Sequence, residues 1–242
     1  MSAPSTVPGR IPFLPAQARV RFPPLRGSRP LNPRLRTLSR GAALSREENS
    51  LLAVSVLAVL GRSGALGSAL ARAARAGVSP RLLRETLLQV HLFAGFPRAI
   101  EAFERLGEVA GRVEPAPSEG KDGRRAAGLA LFERIYAAQA PGVRRRLADL
   151  HPALERWVMG HAYGRVLARP ALSPRLRELL AVASLVALRC WKPLASHLRG
   201  AVRCGASPGE VRAAIEVASA HVPRSSAIRA RRMLALLAGG SR

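Results

Sequence analysis

Three side chains in the last third of the sequence are suited to chemistry: a thiol at Cys190, an imidazole at His197 and a carboxylate at Glu178. Glu178 precedes Cys190 by twelve residues, and His197 follows it by seven. Pro193 lacks the N–H that a first helical turn leaves unpaired, so a helix can begin there with Cys190 just ahead of its N-terminus. Amide dipoles at such a terminus stabilise a thiolate, and Arg189 and Lys192 add positive charge beside it. His197 stands one turn beyond Pro193 on the same face. Glu178, from the preceding helix, can orient the imidazole or a water for proton transfer. The set predicts a reactive thiolate at Cys190, with His197 and Glu178 moving protons.

Plainer readings stand beside these. Cys190 can be a small buried apolar residue, and Glu178 can pair with Arg175 or Arg177. Cys204 reads as core, and His91 either lines a pocket or packs helices together. His151, His161 and His221 lack Cys or acidic partners at metal-ligand spacing. Gly-rich phosphate loops and Ser-His-Asp signatures are missing too. Neither a metal nor a cofactor is expected.

The elements that must position these residues read as helices. Only 4% of the 242 residues are aromatic, and Ala, Leu and Val carry most of the 48% that are hydrophobic, which favours helix over sheet. The formal net charge of +24 is almost all arginine, Lys121 and Lys192 being the only lysines. Those arginines are spread along the chain and not interleaved with stacking aromatics, which argues against specific nucleic-acid recognition. Nonspecific attraction to polyanions follows from charge alone. One helix carrying both Cys190 and Cys204 would hold them about 21 Å apart, whereas a disulfide needs Cα atoms within about 7 Å. Free thiols point to a reducing, cytoplasmic setting. No apolar run reaches membrane-spanning length, and no signal-peptide core follows the start.

Residues 1–40 are rich in Pro and Arg without a single acid, and read as a flexible basic tail. Ser45 and Glu48 form a capping box ahead of an apolar helix. Gly61 and Gly64 interrupt it, a second helix spans 66–76, and Ser79 with Pro80 starts a third. The stretch 93–97 breaks that helix before a fourth at 98–109. A linker follows at 111–125, then helices at 126–139, 142–149 and 152–168. An internal repeat underlies this order: a shift of 128 residues lays Leu51, Val54, Leu57 and Leu60 on Leu179, Val182, Leu185 and Leu188. It also lays Gly77, Ser79 and Pro80 on Gly205, Ser207 and Pro208. The expected organisation is a first repeat at 41–110 and a second at 126–242, all-α, packed as one helical bundle.

The motifs on these repeats have a family likeness. AGVSP at 76–80 followed by HLFAGFP at 91–97, and YGRVLARP at 163–170 followed by LSPRLREL at 172–179, resemble the carboxymuconolactone decarboxylase and alkylhydroperoxidase D-like superfamily. HLRGA at 197–201 and GASP at 205–208 extend the resemblance, which covers roughly residues 44–235. Its peroxidase branch implies a Glu, a Cys-x-x-Cys pair and a His, which fall here on Glu178, Cys190 and His197, with Pro193 in place of the second Cys. A monothiol peroxidase is thus implied, with an external thiol, or Cys204 after movement, completing the cycle. The decarboxylase branch implies His197 as proton donor to an enolate, with Arg189, Arg199 or Lys192 holding a lactone carboxylate. Pro193 also takes the place of that branch's usual Glu. In the first repeat the equivalent positions are Ser50, Arg62, Ala65 and Ala69, so one chain carries one site. Homo-oligomers are implied as well. A catalytically silent oligomeric scaffold and a basic polyanion binder complete the alternatives.

Overall fold

The computed structural model describes residues 44–111 and 121–239. The expected basic tail and most of the expected linker lie outside the described residues. Leu44 onward obeys the helical pattern, and no strand occurs among the described residues.

The first three helices are α1 (Arg46–Val59), α2 (Ser63–Arg75) and α3 (Pro80–Ala110). Ser45 caps α1 through the anticipated box, its hydroxyl taking the Glu48 N–H at 3.0 Å while the Glu48 carboxylate takes the Ser45 N–H at 2.9 Å. Ser79 caps α3 in front of Pro80. The break expected at 93–97 is a bend within α3: Gly95, at φ 81° and ψ 170°, turns the axis, and Pro97 follows inside the same helix. Only glycine adopts that conformation without steric cost.

A helical insert comes next: α4 (Lys121–Tyr136), a 3₁₀ turn (Ala137–Gln139), α5 (Ala140–Leu150) and α6 (Pro152–Trp157). Helix α4 therefore begins inside the expected linker. Beyond α6 the chain winds as a π-helix over Val158–Leu167, ending with the Ala168 N–H bonded to the Tyr163 carbonyl five residues back. Gly128 of α4 lies against this segment with no side-chain layer between; a Cβ there would fall 2.7 Å from the Gly164 backbone.

The second repeat comprises α7 (Pro174–Ala187), α8 (Trp191–Arg203), α9 (Pro208–Ser219) and α10 (Arg224–Gly239). The 128-residue shift carries the bounds of α1 onto α7, those of α2 onto α8 and the start of α3 onto α9. Backbone angles repeat as well. Gly61 (φ 62°) is matched by Arg189 (φ 59°), and Arg62 (φ −86°, ψ 68°) by Cys190 (φ −86°, ψ 76°). Helices α1 and α7 pack together at the centre, where every residue from Leu176 to Ala187 is buried. Burial on all sides is what makes their sequences apolar all round. The Ser55 and Ser184 hydroxyls meet in this interior at 3.0 Å, each satisfying the other. One apolar core runs through both repeats, including Leu51, Leu70, Leu87, Leu179, Leu194 and Leu198. Around the insert lies a second cluster of Phe132, Ile135, Tyr163, Leu167 and Cys204.

Candidate functional site

Glu178 sits in the first turns of α7, and His197 in the middle of α8, which crosses it. Both are buried, and the His197 Nδ1 lies 3.0 Å from the Glu178 Oε2. An ionised carboxylate only accepts hydrogen bonds, so Nδ1–H donates and Nε2 is left for exchange. Burial works to depress the imidazole pKa, but the Glu178 charge and the hydrogen bond outweigh it and raise the pKa above its ordinary value. The side chain is thus protonated at higher pH than a solvent-exposed histidine.

Small and aromatic residues shape the space around this pair. A Cβ on Gly200 would lie 2.3 Å from the Glu178 Oε2 and 2.9 Å from the Ile135 Cγ2. Only a missing side chain at that turn of α8 lets the carboxylate and α4 approach together. Phe93, two residues before the bend in α3, presents its ring edge-on to His197 at 6.1 Å between centroids. Tyr163 of the π-helix packs edge-on against Phe132, which also packs against Tyr136. Burial, and the nearby Glu178 charge, raise the pKa values of both phenols and keep them protonated. Spacing did not point to Phe93, Tyr136, Tyr163 or Gly200. The one available signal was a glycine inside an otherwise regular helix.

Cys190 is the N-cap of α8, so the helix begins at Trp191, slightly before Pro193. It is exposed, which removes its reading as a buried apolar residue. The only hydrogen bond of its thiol among the described residues runs from Sγ to the Leu188 carbonyl at 3.7 Å, and none joins it to His197. The structure therefore brings Glu178 and His197 together and leaves the thiol outside that pair. Cys204 caps the far end of the same helix and is buried, its thiol pKa pushed up to about 11, chiefly by burial, with the Glu178 charge adding to it. Both cysteines are free, with the length of α8 between them.

Arg199 is half-buried and makes no hydrogen bond or ion pair among the described residues. Burial and the neighbouring Arg203 lower its pKa, with Tyr136 opposing them. Arg189 and Lys192 are exposed around the start of α8. The partners once considered for Glu178 are engaged elsewhere. Arg175 bridges Glu48 and Glu210, while Arg177, fully buried, bonds Glu85 at 2.9 Å and Gln89 at 3.2 Å. Arg177 and Arg169 together tie α3, through Glu85, to the start of the second repeat.

The 128-residue shift places the same site on the first repeat. A concavity of about 210 Å³ lies there, lined by Asn49, Ser50, Ala53, Ala69 and Arg72, the counterparts of Arg177, Glu178, Ala181, His197 and Gly200. The acid and the base are replaced by small side chains. Among the described residues, no group of three or more His, Cys, Asp or Glu side chains could hold a metal ion. No helix there is long and apolar enough to cross a membrane.

Comparison with known proteins gives the same outline. The profile of the carboxymuconolactone decarboxylase family matches residues 32–108 and 152–235, one stretch for each repeat. Peroxisomal protein 2 of Schizosaccharomyces pombe (strain 972 / ATCC 24843) is 29% identical over 164 residues, covering 62% of this chain and 75% of the relative. Two family-matching stretches, one containing α1–α3 and the other α7–α10, establish that the chain belongs to the carboxymuconolactone decarboxylase family.

Proposed function

We propose that this protein is an acid–base enzyme in which His197, held by Glu178, delivers a proton to carbon, as in decarboxylation of a lactone carboxylate. The observation that carries this reading is the buried Nδ1–Oε2 contact of 3.0 Å. It fixes the ring, leaves Nε2 as the proton-exchanging atom and raises the pKa above its ordinary value, so that the ring keeps the proton a general acid must deliver. Loss of carbon dioxide leaves an enolate, whose carbon takes the Nε2 proton; solvent then reprotonates the imidazole. Arg199, half-buried and unpaired, is the proposed partner of a substrate carboxylate, and Arg189 and Lys192 add positive charge at the start of α8.

A second reading is favoured by one observation, the exposed thiol of Cys190 at the N-cap of α8. There the thiolate attacks a peroxide oxygen, an alcohol or water leaves, and the resulting sulfenate is reduced by two equivalents of an external thiol. Cys204 is poorly placed to resolve it, at the opposite end of the helix. Cysteine usage favours a cytoplasmic setting for this chemistry, and the relative's name adds the peroxisome as an alternative.

Carbon dioxide release from lactone carboxylates and thiol-dependent peroxide consumption, measured in parallel on wild type, His197→Ala and Cys190→Ser, test both readings. The acid–base reading expects decarboxylation to fall at least 100-fold in His197→Ala and to persist in Cys190→Ser. Peroxide turnover lost in Cys190→Ser, with no decarboxylation in wild type, would replace it with the thiol reading.

A further inference from the structure

Away from Glu178 and His197, two more histidines meet. His91 of α3 and His161 of the π-helix have their Nε2 atoms 2.7 Å apart. Their ring centroids are 4.9 Å apart, so the nitrogens face one another nearly head-on. The other nitrogen of His91, Nδ1, lies 2.5 Å from the Leu88 carbonyl. A carbonyl only accepts, so Nδ1 carries the His91 proton and its Nε2 presents a lone pair. His161 therefore donates from Nε2–H, and one proton joins the two rings. Phe96 stacks on His91 at 4.9 Å with the planes 7° apart, holding that ring in place.

This bond joins two segments that pack beside the Glu178–His197 pair. Two residues beyond His91 is Phe93, against His197, and two beyond His161 is Tyr163, in the cluster that flanks Glu178. Another polar tie between α3 and this stretch is the Glu85–Arg169 bridge, beyond the end of the π-helix. We propose that His91 and His161 form a one-proton latch that fastens α3 to the π-helix and regulates access to the buried Glu178–His197 pair, opening when both rings become cationic.

The two protonation steps act differently. A first proton goes to the free Nδ1 of His161 and strengthens the existing bond, which then has a charged donor. A second can go only to the His91 Nε2, where it replaces the acceptor with a facing N–H and sets two cations against each other. His161 resists charging, because burial, His91 across the contact and Arg165 on its own segment all lower its pKa. The bond therefore survives the first protonation and breaks at the second. Helices α3, α4 and α6, which pack against the π-helix, bring no carboxylate within ion-pair distance of either imidazole among the described residues. Control of access to the pair rests on the acid–base reading given above, whereas the latch itself does not depend on it.

Amide hydrogen exchange of the full chain from pH 7.5 to 4.5, corrected for intrinsic rates, tests the latch without any substrate. In wild type, opening of 158–167 and 91–97 should rise about tenfold per pH unit below the second protonation, since opening takes up one proton. Helix α7 should keep its protection throughout. In His161→Gln and in His91→Gln a neutral amide replaces one titrating ring, and the step should vanish; if one variant does not fold, the other decides. A flat wild-type profile, an unchanged step in both variants, or simultaneous loss of α7 protection would each overturn the proposal. Activity in the carbon dioxide assay is a separate readout, so failure of the latch and failure of the acid–base reading are distinguishable.

Discussion

Glu178→Gln is the sharpest perturbation of the candidate site. Glutamine matches the carboxylate in size and keeps an oxygen that accepts the Nδ1–H of His197, so packing and the 3.0 Å contact are preserved while the charge is removed. What remains acting on the imidazole is burial, which lowers its pKa. An opposite charge at this range shifts a titrating group by about 1–3 units, so the His197 midpoint should fall by that amount. The assay is NMR of the histidine Cε1–H resonances against pH, assigned by His197→Gln. A raised folded-state pKa stabilises the protein fully below the unfolded value and loses that contribution as pH rises through the folded value. The stability gap between wild type and Glu178→Gln should accordingly be widest near pH 6 and shrink toward pH 9. Its size at the acid end is about 1.4–4 kcal/mol, one to three units at 1.4 kcal/mol each. A His197 midpoint that moves by less than a few tenths of a unit would refute the assignment of Glu178 as its partner.

Two other outcomes are expected. Gly200→Ala gains helix propensity but places a methyl carbon 2.3 Å from the Glu178 Oε2. A net loss of about 1–3 kcal/mol in denaturant titrations is expected from overpacking, with a lower His197 midpoint as the carboxylate is displaced; unchanged stability and midpoint would disprove the close approach. Of the two thiols, exposed Cys190 should alkylate first at pH 8, and Cys204, buried with its pKa near 11, should react only slowly unless the protein unfolds. Mass mapping of the labelled peptides would contradict the structure if Cys204 reacted at a similar rate.

Local punctuation was readable without coordinates. The Ser45–Glu48 box, the Ser-Pro helix starts and the 128-residue shift act over short range or recur, so the helices and the tandem all-α architecture could be read residue by residue. Glu178 and His197 were legible because spacing on consecutive helices nearly determines which side chains can meet. Other features depend on docking. Tyr136, Tyr163 and Phe93 reach the site only because α4, the π-helix and α3 fold against α7 and α8, and His91 finds His161 from 70 residues away. The exposure of Cys190 was equally hidden, since an N-cap can face core or solvent. The stretch 93–97 read as a break between two helices, whereas it is a bend at Gly95 with Pro97 inside the same helix.

That bend has a counterpart. Shifted by 128 residues, Gly95 falls on Pro223, in the gap where α9 has ended and α10 has yet to begin. Both halves of the molecule interrupt the helix at the same station, one with a single torsion in a continuous helix and the other by ending one helix and starting the next. What the two copies share here is the position of the interruption, not a residue or a run of hydrogen bonds. The two copies consequently differ in how they can diverge: the gap at 220–223 can accept added length while α9 and α10 keep their places, whereas any residue added at the bend in α3 would rotate everything beyond it by about 100°.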